Sequence, residues 1–308
     1  MSIVIVLKNM SVILLMALIG YVLFKKGILD ENINKKLSIL VVDICNPALT
    51  IACIIEDRIN ATHREIFQAT VISVMIYGVL ILLGIMVSKA LRVHKGEEKF
   101  YHMMTVYTNV GFIGLPLARA MLDGDAILYV IIFNVLYNFF FYTHGCFVMQ
   151  NGKSKETRHG GRKGGLNLGL ISGIASIVIV WFDISIPEIL GNACIYIGDA
   201  NTFLAMILLG ASVAAIPSAR KLLSNRKLYI FLALRMVVIP MIAARLLTAF
   251  GVDSRMTLAF ALMLSMPMAS IPLMLAEKNG ENTEILSQGI TISTAICFVT
   301  ITLVLGFI

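Results

Sequence analysis

The sequence predicts an all-α integral membrane protein with ten transmembrane helices arranged as two inverted five-helix repeats. Three observations predict it: a composition too apolar for a water-exposed surface, an alternation of basic and basic-poor loops, and two helices interrupted at matching places in the two halves.

Of the 308 residues, 58% are hydrophobic and 14% charged, against roughly 25% charged in soluble domains. The apolar residues fall in runs that reach the about 20 residues a helical span needs. The formal charge of +7 sits between those runs, so membrane topology explains it and nucleic-acid binding is not expected. The five cysteines (Cys45, Cys53, Cys146, Cys194 and Cys297) lie in apolar segments without a CxxC pair and read as buried thiols. The opening MSIVIVLKNMSVILL lacks a basic leader region and a small-residue cleavage site, and reads as a retained first helix.

The expected spans are 3–24, 34–55, 66–90, 100–122 and 126–149, then 166–182, 187–214, 228–249, 255–277 and 284–307. The first repeat is thus 1–149 and the second 166–308, joined by a basic linker at 150–165. Lys25, Lys26, Lys35 and Lys36 follow span 1; Lys89, Arg92, Lys95 and Lys99 follow span 3. Lys153, Lys155, Arg158, Arg162 and Lys163 lie in the linker; Arg220, Lys221, Arg226 and Lys227 follow span 7. The alternate loops are poor in basic residues. Basic residues collect on the cytoplasmic side, so the linker is expected in the cytoplasm and both termini outside, in the cytoplasmic membrane.

Span 4 contains TNVGFIGLPLARAML and span 9 LSMPMASIPLMLAEK. Aligning Pro116 with Pro272, an offset of 156 residues, lays Gly114-Leu115-Pro116 over Ser270-Ile271-Pro272 and Asn109 over Ser265. The same offset lays Asp43 over Asp199. Five spans per half reverse the sense of the second half, which makes the interrupted spans an inverted pair. A break inside a bilayer frees backbone groups that lipid cannot satisfy, so it must line protein or a watery cavity. Pro116 and Pro272 suit the first turn of a resuming helix, and Gly114 and Ser270 the cap before it. Two such N-termini crossing at one spot attract an anion such as a carboxylate. Asn109, placed on the half-helix leading into the break, adds an amide donor. The ends of the upstream half-helices offer carbonyls to a cation, but neither break contains an acidic side chain to make a tight sodium site.

The pattern Asn109 to Leu117, N-x-x-x-x-G-[LI]-P-L, resembles the auxin efflux carrier family, as does Pro267 to Lys278 followed by EILSQGITIST. Pro47 and Gly198-Asp199-Ala200 also match bacterial members, and the resemblance covers nearly the whole chain. It implies a fold similar to the bile-acid/sodium symporters, with spans 1, 2, 6 and 7 as a scaffold that often dimerises, and organic acids such as malate or malonate as substrates. By resemblance, Asn109 contacts substrate and Asn134 stands where the plant carriers have a glutamine.

Other polar residues inside spans complete the candidates. Asn46, Asn134, Asn138 and Asn201 either line the pocket or hold helices together. Asp43 and Asp199 either carry a coupling proton or make structural hydrogen bonds. Arg235 either attracts anions or snorkels; Arg119 either guides anions or pairs with Asp123. The histidines (His63, His94, His102, His144 and His159) show no ligand spacing and read as structural or solvated, and no metal or cofactor is expected. Without HExxH, GxSxG or a Walker motif, neither an enzyme nor an ATP-driven pump is expected. The reading is a secondary transporter or uniporter of a small organic anion, with a proton or sodium ion as candidate coupling ion; the alternative is an anion channel or membrane ligand sensor on the same fold.

Overall fold

The computed structural model describes residues 3–56, 59, 61–94, 96–122, 124–150, 168–215, 225–278 and 281–308. The linker at 151–165, with its basic residues, Asp123, Arg220 and Lys221 lie outside the described residues. Among the described residues the structure is all helical, with one isolated antiparallel bridge, Thr108 to Met268. Seven helices among the described residues are long and apolar enough to cross a membrane. Three shorter apolar helices, Val110–Met121, Leu168–Trp181 and Ser254–Leu264, accompany them, so fewer than the ten expected full spans are described. The first and last of these are short because their spans break, and the middle one is described only from Leu168.

The first half comprises α1 (Ile3–Lys25), α2 (Glu31–Leu40), α3 (Asn46–Glu56), α4 (His63–Ala90), α5 (Glu98–Val106), α6 (Leu115–Met121), α7 (Asp125–Phe140) and α8 (Cys146–Gln150). The second comprises α9 (Leu168–Trp181), α10 (Glu188–Ala214), α11 (Arg226–Ala233), α12 (Ile239–Ala249), α13 (Ser254–Leu264), α14 (Ile271–Lys278) and α15 (Glu284–Phe307). Local signals fix several ends. Asp30 accepts the Ile33 N–H to start α2, and Thr62 with Glu65 forms a reciprocal cap on α4.

Single π turns run through the spans at Val41–Cys45, Val110–Gly114, Phe141–Gly145 and Leu234–Val238. Three of them are followed, two residues on, by a proline: Pro47, Pro116 and Pro240. Proline has no N–H and its ring crowds the carbonyl four residues back. Widening the preceding turn by one residue relieves that crowding, and the helix continues instead of kinking. The fourth π turn, before Cys146 and Phe147, has no such proline, and we have no physical account of it.

Two packed groups emerge. α1, α10, α3 and α9 pack in succession, and α5, α4, α7, α13 and α12 in a second succession; α7 against α9 and α15 against α1 join the two. The α1–α10 contact is backbone against backbone: a Cβ on Gly20 would run into Ile207 O, and one on Gly210 into Ala17 O. Small residues permit this approach, as is usual between membrane helices. At one end, Arg255 ties together the starts of α4, α7 and α13, reaching Asp125 at 2.8 Å, Asp253 at 3.4 Å and Glu65 at 4.0 Å.

Candidate functional site

The two broken spans meet at their breaks. α5 ends at Val106 and Tyr107 turns extended, while α13 ends at Leu264 and Ser265 caps it. The exposed backbone of each break then bonds to the other. Asn109 N donates to Pro267 O at 2.8 Å, and Ala269 N donates to Tyr107 O at 3.3 Å. Met268 N donates to Ser293 Oγ at 3.1 Å on α15, and Thr108 Oγ1 to Met263 O at 3.3 Å. Groups that lipid would leave bare are thus satisfied by the opposite break.

In the second half the helix resumes as the sequence suggests: Ser270 immediately precedes α14 and Pro272 is its second residue. In the first half the break lies earlier than Gly114. Pro116 is again the second residue of an α-helix, but the π turn at 110–114 already continues the chain from Asn109. Gly114 is therefore helical, with φ −64° and ψ −47°, rather than a cap. Asn109 is the cap: its Oδ1 accepts the Phe112 N–H at 3.2 Å. It stands at the start of the resuming helix, not on the half-helix leading into the break. Its offset partner Ser265 lies at the other end of its own break, where its Oγ donates to Ala261 O at 2.6 Å. Widening of the turn before Pro116 is what shifts the two breaks out of register.

Around Asn109 the structure gathers amides. In a π turn Gly111 O would pair with the N–H five residues on, which is Pro116 and has none. Asn46 Nδ2 donates to that carbonyl at 3.0 Å, and Asn201 Nδ2 donates to Asn46 Oδ1 at 2.9 Å. Asn46 and Asn201 are buried. Asn134, on α7, borders the same glycine: a methyl group on Gly111 would lie 3.3 Å from its Oδ1. Asn138 Nδ2 donates to Asn134 O at 2.8 Å. Gly114 makes room for Met263, whose Sδ would lie 3.2 Å from a Cβ there. Leu115 and Pro116 are buried, as is Pro272, whereas Ser270 and Ile271 are exposed.

Arg119 pairs with Asp199 at 2.8 Å, eighty positions away on α10, which joins an anion-attracting candidate to a proton-carrying one. Asp43 lies half-buried in the first π turn. Arg235 does not snorkel: it is fully buried, and its Nε and Nη1 donate to Thr105 O at 2.6 Å and Leu264 O at 2.7 Å. Those carbonyls belong to the last turns of α5 and α13. Sequence reasoning missed this, because nothing in the sequence of span 8 names partners on spans 4 and 9.

It also missed a histidine pair. His102 Nε2 and His144 Nε2 are 3.3 Å apart, and His144 Nδ1 lies 2.9 Å from the Tyr107 hydroxyl, which donates to Phe140 O at 2.8 Å. Gly84 leaves the room for the His102 ring. Forty-two positions separate the two histidines, so no spacing motif announces them.

A family model described as membrane transport protein matches residues 5–163 and 162–305. The chain belongs to that family. It is the family of the auxin efflux carriers, whose members are transporters rather than enzymes. No curated protein matches the sequence. The family member is accordingly a multi-pass membrane transporter, embedded in a lipid bilayer and carrying a small-molecule substrate.

Proposed function

We propose that this transporter is a secondary carrier of a small organic anion, bound where the broken spans cross and beside Asn109. The observation that carries the reading is the mutual hydrogen bonding of the two breaks, from which two helices resume within a few residues of one bridge. Each resuming helix offers the positive dipole end of its first turn, and Asn109, Asn46 and Asn134 supply polar walls. The amide nitrogen of Asn109 has no hydrogen-bond partner among the described residues, which leaves it free to donate to a carboxylate. Ten spans in two inverted repeats fit this arrangement, and the two packed helix groups suit a carrier in which one group moves against the other.

An uptake screen in proteoliposomes over mono- and dicarboxylates, including malate and malonate, tests the substrate class. Saturable uptake of at least one acid is expected, and a carrier indifferent to every acid would overturn the reading. Loss of one hydrogen bond to a charged partner costs about 1.5–3 kcal/mol, or roughly ten- to a hundredfold in affinity. Asn109→Ala should weaken binding of the transported acid by that factor in calorimetry.

The distribution of basic loops supports a topology with the linker in the cytoplasm and both termini outside, in the cytoplasmic membrane. In a cysteine-free background, Ser154→Cys should be labelled only from the cytoplasmic side and Ile184→Cys only from outside. The reverse pattern would invert the topology.

A further inference from the structure

Arg235 is charged at any physiological pH, and it is fully buried. Burying an ion costs several kcal/mol unless its surroundings compensate. No carboxylate pairs with it among the described residues. Its partners are backbone carbonyls: Thr105 O, one residue before the end of α5, and Leu264 O, the last residue of α13. A helix C-terminus carries the equivalent of about −0.5 elementary charge. Two of them amount to about one negative charge, which one guanidinium neutralises. The same guanidinium ties the ends of the two half-helices together.

Carbonyls at the ends of broken half-helices are the ligands with which a transporter of this architecture holds a coupling sodium ion. Here those ends are already taken by a cation fixed to the chain. We propose that Arg235 occupies the seat of a coupling alkali cation, so that the carrier binds and moves its anion without sodium. The inference rests on the reading of the crossing as the transport site. A sodium ion arrives from one side and leaves on the other, and so lends its gradient to transport. Arg235 gives the same neutralisation and the same cross-tie but never leaves, so a sodium gradient has no purchase at this point. Its place in a π turn, ahead of Pro240, sets the side chain into the core of the bundle.

The test needs no substrate. Thermal unfolding of the purified full-length protein in detergent is followed in sodium, lithium or choline chloride at equal ionic strength. The parent should unfold at one temperature in all three. Arg235→Lys, which keeps the charge, should be equally indifferent to the salt. Arg235→Gln should unfold at lower temperature in choline and regain a few degrees, saturably, in sodium or lithium. The proposal is overturned if the parent or the lysine variant is selectively stabilised by sodium. It is also overturned if Arg235→Gln is as stable as the parent in choline, or if it is destabilised and no alkali cation restores it. Should Arg235→Gln fail to accumulate, the parent and the lysine variant still decide. The Asn109→Ala measurement separates the two readings: tight binding by that variant removes the anion site from the crossing, whereas a sodium response of the parent removes only the role given to Arg235.

Discussion

The first break spans Tyr107 to Asn109, and the second runs from Ser265 to Ser270. The short one resumes through a π turn capped by Asn109 and is walled by Asn46 and Asn134. The long one has apolar side chains at its centre, Met266 and Met268, both buried, and resumes at the exposed Ser270 and Ile271. Both give the same backbone service, since each satisfies the other's unwound groups. The difference lies in the side chains: the amides of Asn109, Asn46 and Asn134 stand around the first break, and on the proposed reading these are the ones that meet the anion.

The largest effect should expose that asymmetry. Asn109→Ala is expected to lose the ten- to hundredfold given above, whereas Ser265→Ala, its partner by sequence offset, should leave substrate affinity unchanged because its hydroxyl bonds locally to Ala261 O. Equal losses in calorimetry would restore a symmetric site. A smaller effect should appear in stability. Asn46→Ala strands both Gly111 O and the Asn201 amide, while Ser293→Ala strands only Met268 N–H. Each buried group left unsatisfied costs about 1–3 kcal/mol, so thermal shift should rank Asn46→Ala below Ser293→Ala and both below the parent. The smallest effect concerns packing: Gly111→Ala puts a methyl group 3.3 Å from Asn134 Oδ1. Affinity should fall only a few-fold if Asn134 can yield. A larger drop would mean that Asn134 is held in place to meet the substrate.

Much of the helical layout was legible. Among the described residues the helix ends lie within a turn of those expected, because apolar runs, caps and charged loops bound each helix locally. The breaks were legible as a pair through their prolines, yet Pro116 pointed a π turn too far downstream. Its neighbours Pro47 and Pro240 show why: within these spans proline widens the preceding turn and lets the helix run on. What could not be read were contacts whose partners are distant in sequence. Asp199, which Arg119 reaches at 2.8 Å, lies eighty positions away, beyond any local pattern. Arg235 could be given only the generic fates of a buried cation, because its partners are carbonyls, which every residue has. The histidine pair depends on two helices coming side by side and leaves no trace in spacing.

The bridge between Thr108 and Met268 also has a meaning for biogenesis. Asn109 N–H and Tyr107 O find their partners at Pro267 and Ala269, more than 150 residues downstream. During synthesis span 4 leaves the ribosome long before span 9 exists. Until then its unwound segment faces lipid or the insertion machinery with polar groups open, each at a cost of several kcal/mol in hydrocarbon. The first half is thus inserted as an unfinished structure that the second half completes. A chain truncated after the linker should persist in the membrane only under the shelter of a chaperone or insertase, and should be cleared by proteolysis without it.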